Sequence, residues 1–508
     1  MSGDGVTGRG YRPHRRTPTA AVARGVERRF QIAGLFRHQV NKVFPWHFSF
    51  LWGEIALYSF VVLVGSGVFL TLFYVPSMDE LVYQGSYVPT SGLEGSRAWI
   101  STMQLSIDVR GGLFVRQLHH WSALVFLAAV MLHMGRIFFT GAYRAPREIN
   151  WFLGVAMLVL AIFEGYLGYS MIDDLLSGTG VRIFSGILLS VPVIGTWLHW
   201  LVFSGEYPGE IVVERFFIAH VLLIPAILAG LIVLHLAVVW YQKHTQFAGP
   251  PAGEGNVVGN RTLPVFSLHS VSMLLGVTGV LGLLAGVAQI NPIFHYGPYN
   301  PTQVSNGSQP DWYALWLIGS LKLFPRVDIA VFGRYTVPAG FWAGVAIPLV
   351  LILLLLAWPL VDRLRTRDRE LHNLLDRPRD DAARTAIGVM ALTFWGVLTV
   401  AGADDIAATV FQIPLEGLRW AERGALLILP PLAYVITRRV CLRLQRSDRD
   451  ALAGGVATGI VEETTEGTYR SVQQPFVGVD PEGGEHPPRY DGARIPKVPA
   501  REHAEGSS

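Results

Sequence analysis

Long apolar stretches alternate with short polar ones along the chain. Runs that are free or nearly free of charge, and long enough to cross a bilayer, fall at 55–77, 117–135, 149–172, 216–242, 265–290, 336–361, 385–403 and 424 to about 442. In hydrocarbon a spanning segment must satisfy its own backbone, so each run predicts a helix rather than an open strand. Two other apolar segments fall short. The first, 183–205, is broken by Gly186, Pro192 and Gly195, and the second, 313–325, is too short and contains Lys322. The eighth run carries Pro430-Pro431 and reaches full length only if Arg438 and Arg439 snorkel to the headgroups. The pattern predicts an all-α integral membrane protein with eight transmembrane helices.

Charge in the loops orients these helices, because Lys and Arg accumulate on the cytoplasmic side. With 183–205 lying on the surface, one side receives nine Lys/Arg before residue 50, three in 136–148, Lys243 and Arg261, seven in 362–384, and five from Arg438 to Arg449. Were 183–205 to cross, the seven-Arg loop and the basic stretch after it would change sides. Both termini are therefore expected in the cytoplasm, with 181–205 a helical hairpin on the outer face. The chain divides into a cytoplasmic segment 1–49, a membrane domain 50–245, a second membrane domain 246–445 and a polar, weakly structured cytoplasmic tail 446–508. No repeat of 20 to 50 residues is evident.

Composition narrows the function. The 508 residues carry 41 Lys+Arg and 38 Asp+Glu, which is 79 charges where about 127 would be usual for a soluble protein of this length. A soluble enzyme is thereby excluded, and a net charge of +3 implies no nucleic-acid partner. Cys441 is the single cysteine, so a disulfide framework, a Cys-ligated iron-sulfur cluster and covalent haem attachment are all ruled out within the chain. The polar, Arg-rich start lacks the apolar core of a cleaved signal peptide.

Histidine inside a bilayer is costly and marks function. The second span holds His119 and His133, and the fourth holds His220 and His235, at spacings of 14 and 15 residues. At about 100° per residue, 14 steps return to within about 40° of the starting direction and 15 to within about 60° on the other side. Each pair thus shares a helix face, at two levels about 21 to 22 Å apart. Two helices offering an imidazole at two matched depths can clamp two b-type haems, one at each level. The first four spans would then form a four-helix di-haem bundle.

Gly53 and Gly67 in the first span, and Gly154 and Gly168 in the third, repeat the 14-residue period, and glycine lets a flat group approach the backbone. They are expected to lie against the porphyrins. Arg116 precedes His119 by three residues and Arg136 follows His133 by three, so each can pair with haem propionates near an interface. His120 points 100° away from His119 and is expected to act only in support.

These residues, with Gly168-Tyr169-Ser170, the run from Ser190-Val191-Pro192 to Gly195-Thr196, and Pro310-Asp311-Trp312-Tyr313, resemble cytochrome b of the cytochrome bc family, the core of respiratory complex III. The resemblance covers about 50–445. Asp173-Asp174, the Arg377-Pro378-Arg379-Asp380 loop and the polar C-terminal extension are similar to the actinobacterial menaquinol branch. The resemblance implies that His119 and His220 hold a low-potential haem near the outside, and that His133 and His235 hold a high-potential haem near the cytoplasm. It implies an outer quinol-oxidation site with Asp311, Tyr313 and Tyr169 as catalytic residues. An inner quinone-reduction site would draw on Tyr241, His244 and His269. The implied activity is that of a quinol-cytochrome c reductase running a proton-translocating Q cycle on menaquinol, in the plasma membrane. The implied partners are a Rieske iron-sulfur subunit, a cytochrome c subunit, a terminal oxidase in a supercomplex and a second copy of the complex.

The sequence departs from the family at several points. Asp311 stands where most relatives have Glu, Ile172-Asp173 replaces Pro-Trp, and His269-Ser270 occupies the place of the inner-site Lys-Asp type residues. Two other readings fit part of the pattern. One is the haem-bearing anchor of a different quinone oxidoreductase, and the other is a proton-coupled transporter relaying through His, Glu164 and Asp311.

Overall fold

A computed structural model describes residues 39–249, 251–303, 309–333, 335–474, 478–479 and 485–486. The first 38 residues of the expected cytoplasmic segment, and most of the tail beyond 474, lie outside the described residues. Among the described residues, eight helices are long and apolar enough to span a membrane: Phe48–Thr71, Gly112–Phe139, Glu148–Ser170, Val212–Gln242, Thr262–Val287, Ala339–Thr366, Ala382–Gly402 and Leu415–Leu452. Their number and order follow the apolar pattern, and the protein is an all-α integral membrane protein.

The boundaries move for a physical reason. A charge-free criterion starts the first span at 55, yet its helix begins before Glu54, whose Oε2 lies 3.6 Å from His269 Nε2 of the fifth span. A carboxylate with a partner across the helix interface can enter the bilayer, so the absence of charge marks the span too narrowly. The eighth helix likewise runs through Pro430 and Pro431 as far as Gly454. Arg377 and Arg379 bind Asp448 near its C-terminal end, at 3.0 and 3.1 Å.

The first span packs against the second, the third against the fourth, and the second also touches the third. The fifth span leans on the first and second, and the sixth on the third. The seventh and eighth pair with each other, and the short helix Leu315–Leu323 packs on the seventh. Its Lys322 reaches Asp404 at 2.6 Å, and Asp404, fully buried, also takes Arg419 Nε at 2.7 Å.

The expected hairpin is present as helices Leu175–Leu189 and Gly195–Phe203, too short to cross. Asp174 starts it with a capping box: its Oδ1 accepts from Ser177 N–H at 2.7 Å, while Ser177 Oγ serves the Asp174 N–H at 3.1 Å.

The tail requires a correction. It was expected to be weakly structured from 446, but the eighth helix continues to Gly454, and strands Val456–Glu463 and Tyr469–Gln474 then pair antiparallel, with Tyr469 opposite Glu463. Polar composition suppresses a buried core, but a hairpin at a helix end can satisfy its backbone by pairing locally.

Candidate functional site

The two histidine pairs meet. The His119 and His220 rings have centres 6.1 Å apart at an interplanar angle of 78°, and the His133 and His235 rings have centres 6.4 Å apart at 77°. Imidazole nitrogens each about 2 Å from a shared metal would put ring centres roughly 6 Å apart, so both gaps fit a single iron atom.

The unequal spacings are reconciled within the fourth span. Residues Ala219–Leu223, which include His220, form a π-turn. A π-turn takes up one extra residue, so 15 positions here turn through nearly the angle of 14 in a regular helix. The faces that sequence spacing left on opposite sides of exact register are brought together by this bulge.

In the outer pair, neighbouring oxygens decide which ring nitrogen is free. His119 Nδ1 donates to the Leu63 carbonyl at 3.2 Å and to Ser66 Oγ at 3.1 Å. His220 Nδ1 donates to the Glu164 carbonyl at 3.1 Å and to Glu164 Oε1 at 2.9 Å. With Nδ1–H engaged, Nε2 keeps its lone pair for a metal.

Three of the four period-matched glycines make room for these rings. A Cβ on Gly168 would sit 2.5 Å from His220 Cε1, on Gly67 3.2 Å from His119 Cε1, and on Gly53 3.1 Å from His133 Cε1. A Cβ on Gly154 would meet no protein atom within 4 Å, and Gly154 instead lines a cavity. The glycines thus admit the imidazoles first, where the sequence suggested the porphyrin alone.

That cavity, of about 450 Å³, lies between the first four spans at the level of His133 and His235. The buried Arg136 guanidinium borders it with Nε and Nη2 lacking partners, stacked 4.4 Å over the Phe50 ring. Arg116, 6% exposed, has no hydrogen-bond partner on any of its three guanidinium nitrogens. Buried cations without acceptors are expensive, and a haem propionate near each would supply the missing anion. Imidazole pairs at metal-bridging distance and an orphaned guanidinium near each fit a b-type haem at both levels, and the cavity gives space for the planar group at the level of His133 and His235.

The predicted outer-site residues also converge. The Asp311 carboxylate takes His120 Nε2 at 2.9 Å and Asn291 Nδ2 at 3.4 Å. Tyr313 is buried, its hydroxyl 2.7 Å from where a Gly165 Cβ would stand, and Tyr169 packs 3.4 Å from that position on Gly180 of the hairpin. The third span, the hairpin and the Pro310–Tyr313 turn therefore share one region. Burial pushes the Tyr313 phenol well above its usual range. Burial, helped by Asp174 and Glu80, raises Asp173 to about 7.

On the inner side, His244 lines the cavity, and burial beside Arg136 lowers it to about 4. His269 does not itself line the cavity but stands behind two residues that do, Glu54 at 3.6 Å and Trp46 with ring centres 4.3 Å apart; Tyr58 and Ser270 also line it. Tyr241 is not brought there, since its side chain is 87% exposed.

Sequence reasoning overlooked Glu54, Tyr58, Ser66 and the pairing of His120 with Asp311. Glu54 and Glu164 carried a legible signal, as carboxylates inside apolar spans. For His120 the angle to His119 was legible, but its partner 191 residues away was not.

Residues 124–298 match the family model described as Cytochrome b(N-terminal)/b6/petB. The chain is 52% identical over 479 residues to the cytochrome bc1 complex cytochrome b subunit of Mycobacterium tuberculosis, covering 94% of this chain and 87% of that one. It is 50% identical over 478 residues to that of Corynebacterium efficiens, covering 94% and 88%, and 45% identical over 459 residues to that of Streptomyces coelicolor, covering 90% and 83%. The fold is similar to a solved structure named hyperthermophilic respiratory Complex III, with a TM-score of 0.59 and 21% identity over 82% of this chain and 99% of that one. With about half its residues shared over nearly its whole length, the chain belongs to the cytochrome b family, in the branch of the actinobacterial cytochrome bc1 complexes.

Proposed function

We propose that the chain is the di-haem subunit of a quinol-cytochrome c reductase, oxidising menaquinol at an outer site and reducing quinone at an inner one in a proton-translocating Q cycle. The observation that carries this reading is the meeting of two histidine pairs, at two depths, each at the distance of a shared metal. Bound haems would supply one-electron carriers at those two levels, joining the two faces of the bilayer. His119 and His220 would hold the outer group with Arg116 near its propionates, and His133 and His235 the inner group with Arg136.

At the outer site Asp311 is positioned to take a quinol hydroxyl proton, and His120, hydrogen-bonded to the same carboxylate, to share it. Tyr313 and Tyr169 wall this region with buried rings that keep water from the reacting oxygen. At the inner site Glu54 and His244 line the cavity as proton carriers for quinone reduction, with His269 behind Glu54.

The chain's single cysteine cannot hold a cluster, so the other electron requires a Rieske iron-sulfur subunit. A cytochrome c subunit, a terminal oxidase and a second copy of the complex complete the assembly, in the plasma membrane with both termini cytoplasmic. A proton-coupled transporter has no use for paired imidazoles at metal-bridging distance, and an anchor subunit has none for the Pro310–Tyr313 turn.

The test is a dithionite-reduced difference spectrum of the assembled complex, alongside His220→Ala. Two b-type haems are expected in the native protein and only the inner one in the variant. Retention of both haems in His220→Ala would refute the ligand assignment.

A further inference from the structure

The two histidine pairs differ in what holds them. In the outer pair both Nδ1 atoms have acceptors, whereas in the inner pair the buried Nδ1 of His133 and of His235 has no hydrogen-bond partner among the described residues. The two outer acceptors also differ in charge. His119 donates to neutral oxygens, those of Leu63 and Ser66, while His220 donates to a carboxylate, with Glu164 Oε1 at 2.9 Å.

Glu164 is the one acidic residue of the third span beyond its first turn, and its Oε2 is buried without a partner. A carboxylate in that setting is costly and persists only where something requires it. One turn on, Gly168 admits the same imidazole, so a single face of the third span fixes His220 both at its edge and at Nδ1.

We propose that Glu164 is a positioning residue that sets the redox potential of the outer haem, its carboxylate on Nδ1–H making His220 the most electron-donating of the four imidazoles and holding that haem below the inner one. A carboxylate accepting from a ligating imidazole raises the basicity of that ligand. A negative charge in a medium of low dielectric also favours the more positive, ferric state of the iron beside it. Both effects lower the outer potential, and the first does not act on His133 or His235, whose Nδ1 atoms have no acceptor among the described residues, while the carboxylate lining the inner cavity, Glu54, faces His269 rather than either imidazole Nδ1. The asymmetry thus gives electrons a downhill direction from the outer level to the inner. This inference rests on the reading of the four histidines as haem ligands.

The test is an anaerobic potentiometric titration of the b-type absorbance in the intact complex, native and Glu164→Gln, with the low-spin ferric EPR signal as a second readout. The amide keeps the shape and an acceptor oxygen while removing the charge. At fixed ambient potential the reduced-to-oxidised ratio of the outer haem is expected to rise about tenfold or more, a midpoint shift of about 59 mV or more for one electron. The inner haem is expected to stay where it is. Ser66→Ala, which removes a neutral acceptor, is expected to shift the outer haem less. An unmoved outer midpoint with both haems bound, an equal shift of both haems, or a larger shift in Ser66→Ala would overturn the inference. Should Glu164→Gln assemble without its outer haem, Glu164→Asp and Glu164→Ala decide the matter. The charge-retaining variant is expected to stay nearer the native potential, and equal shifts in the two would overturn the inference. Failure of the ligand assignment reads differently, as a native complex without b-type haem.

Discussion

Gly168→Ala tests how tightly the third span grips His220. The added Cβ would lie 2.5 Å from His220 Cε1 and 2.9 Å from Nε2, whereas ordinary contact begins at 3.4 Å. The ring must therefore retreat by about 0.9 Å, beyond the roughly 0.5 Å within which a liganding constellation stays productive. It cannot swing freely, because Nδ1 is tied to Glu164 on the same helix. Overpacking of this kind costs about 1–3 kcal/mol, which weakens outer haem binding by about fivefold to 150-fold. The assay is haem content per chain, with a reduced-minus-oxidised spectrum resolving the two b-type bands. Selective loss of the outer band is expected. Gly276→Ala serves as the control, since a Cβ there meets nothing within 4 Å. Full retention of both haems in Gly168→Ala, or equal loss in the Gly276 control, would refute the reasoning.

Three other outcomes follow from the geometry. Asp311→Asn should slow quinol oxidation by about a hundredfold or more, and His120→Gln by less, with haem content unchanged in both; steady-state turnover that ignores both substitutions would remove the pair from the chemistry. Asp173, raised by burial from 3.8 to about 7, binds its proton more tightly in the folded state than in the unfolded chain. Its stabilising contribution is therefore complete below about pH 4 and is lost as pH rises towards 7. Thermal melts of the detergent-solubilised complex should show that decline, and Asp173→Asn should flatten it. Asp404→Ala should strip Lys322 and Arg419 of a shared, fully buried partner and destabilise the fold by about 3–5 kcal/mol, seen as a lower melting temperature.

What the linear sequence determined by itself was whatever the bilayer enforces locally. A span must be long, apolar and helical wherever it occurs, so eight helices, a hairpin too short to cross and the family's motifs could all be read without knowing what touches what. The depth of the histidines followed in the same way, since rise per residue is a local constant. Tertiary structure decided what depends on partners distant in the chain. Glu54 lies within the first helix with His269 of the fifth span opposite it, and so a charge-free criterion began that helix too late. His120 joined the proposed outer site only through its contact with Asp311, and Tyr241 lies away from the cavity proposed for the inner one, its side chain facing outward. The 15-residue interval from His220 to His235 matched its 14-residue counterpart because a π-turn absorbs one position, a backbone adjustment that no side-chain pattern announces. Periodicity reports which face a residue occupies; which face comes to oppose it is settled by packing.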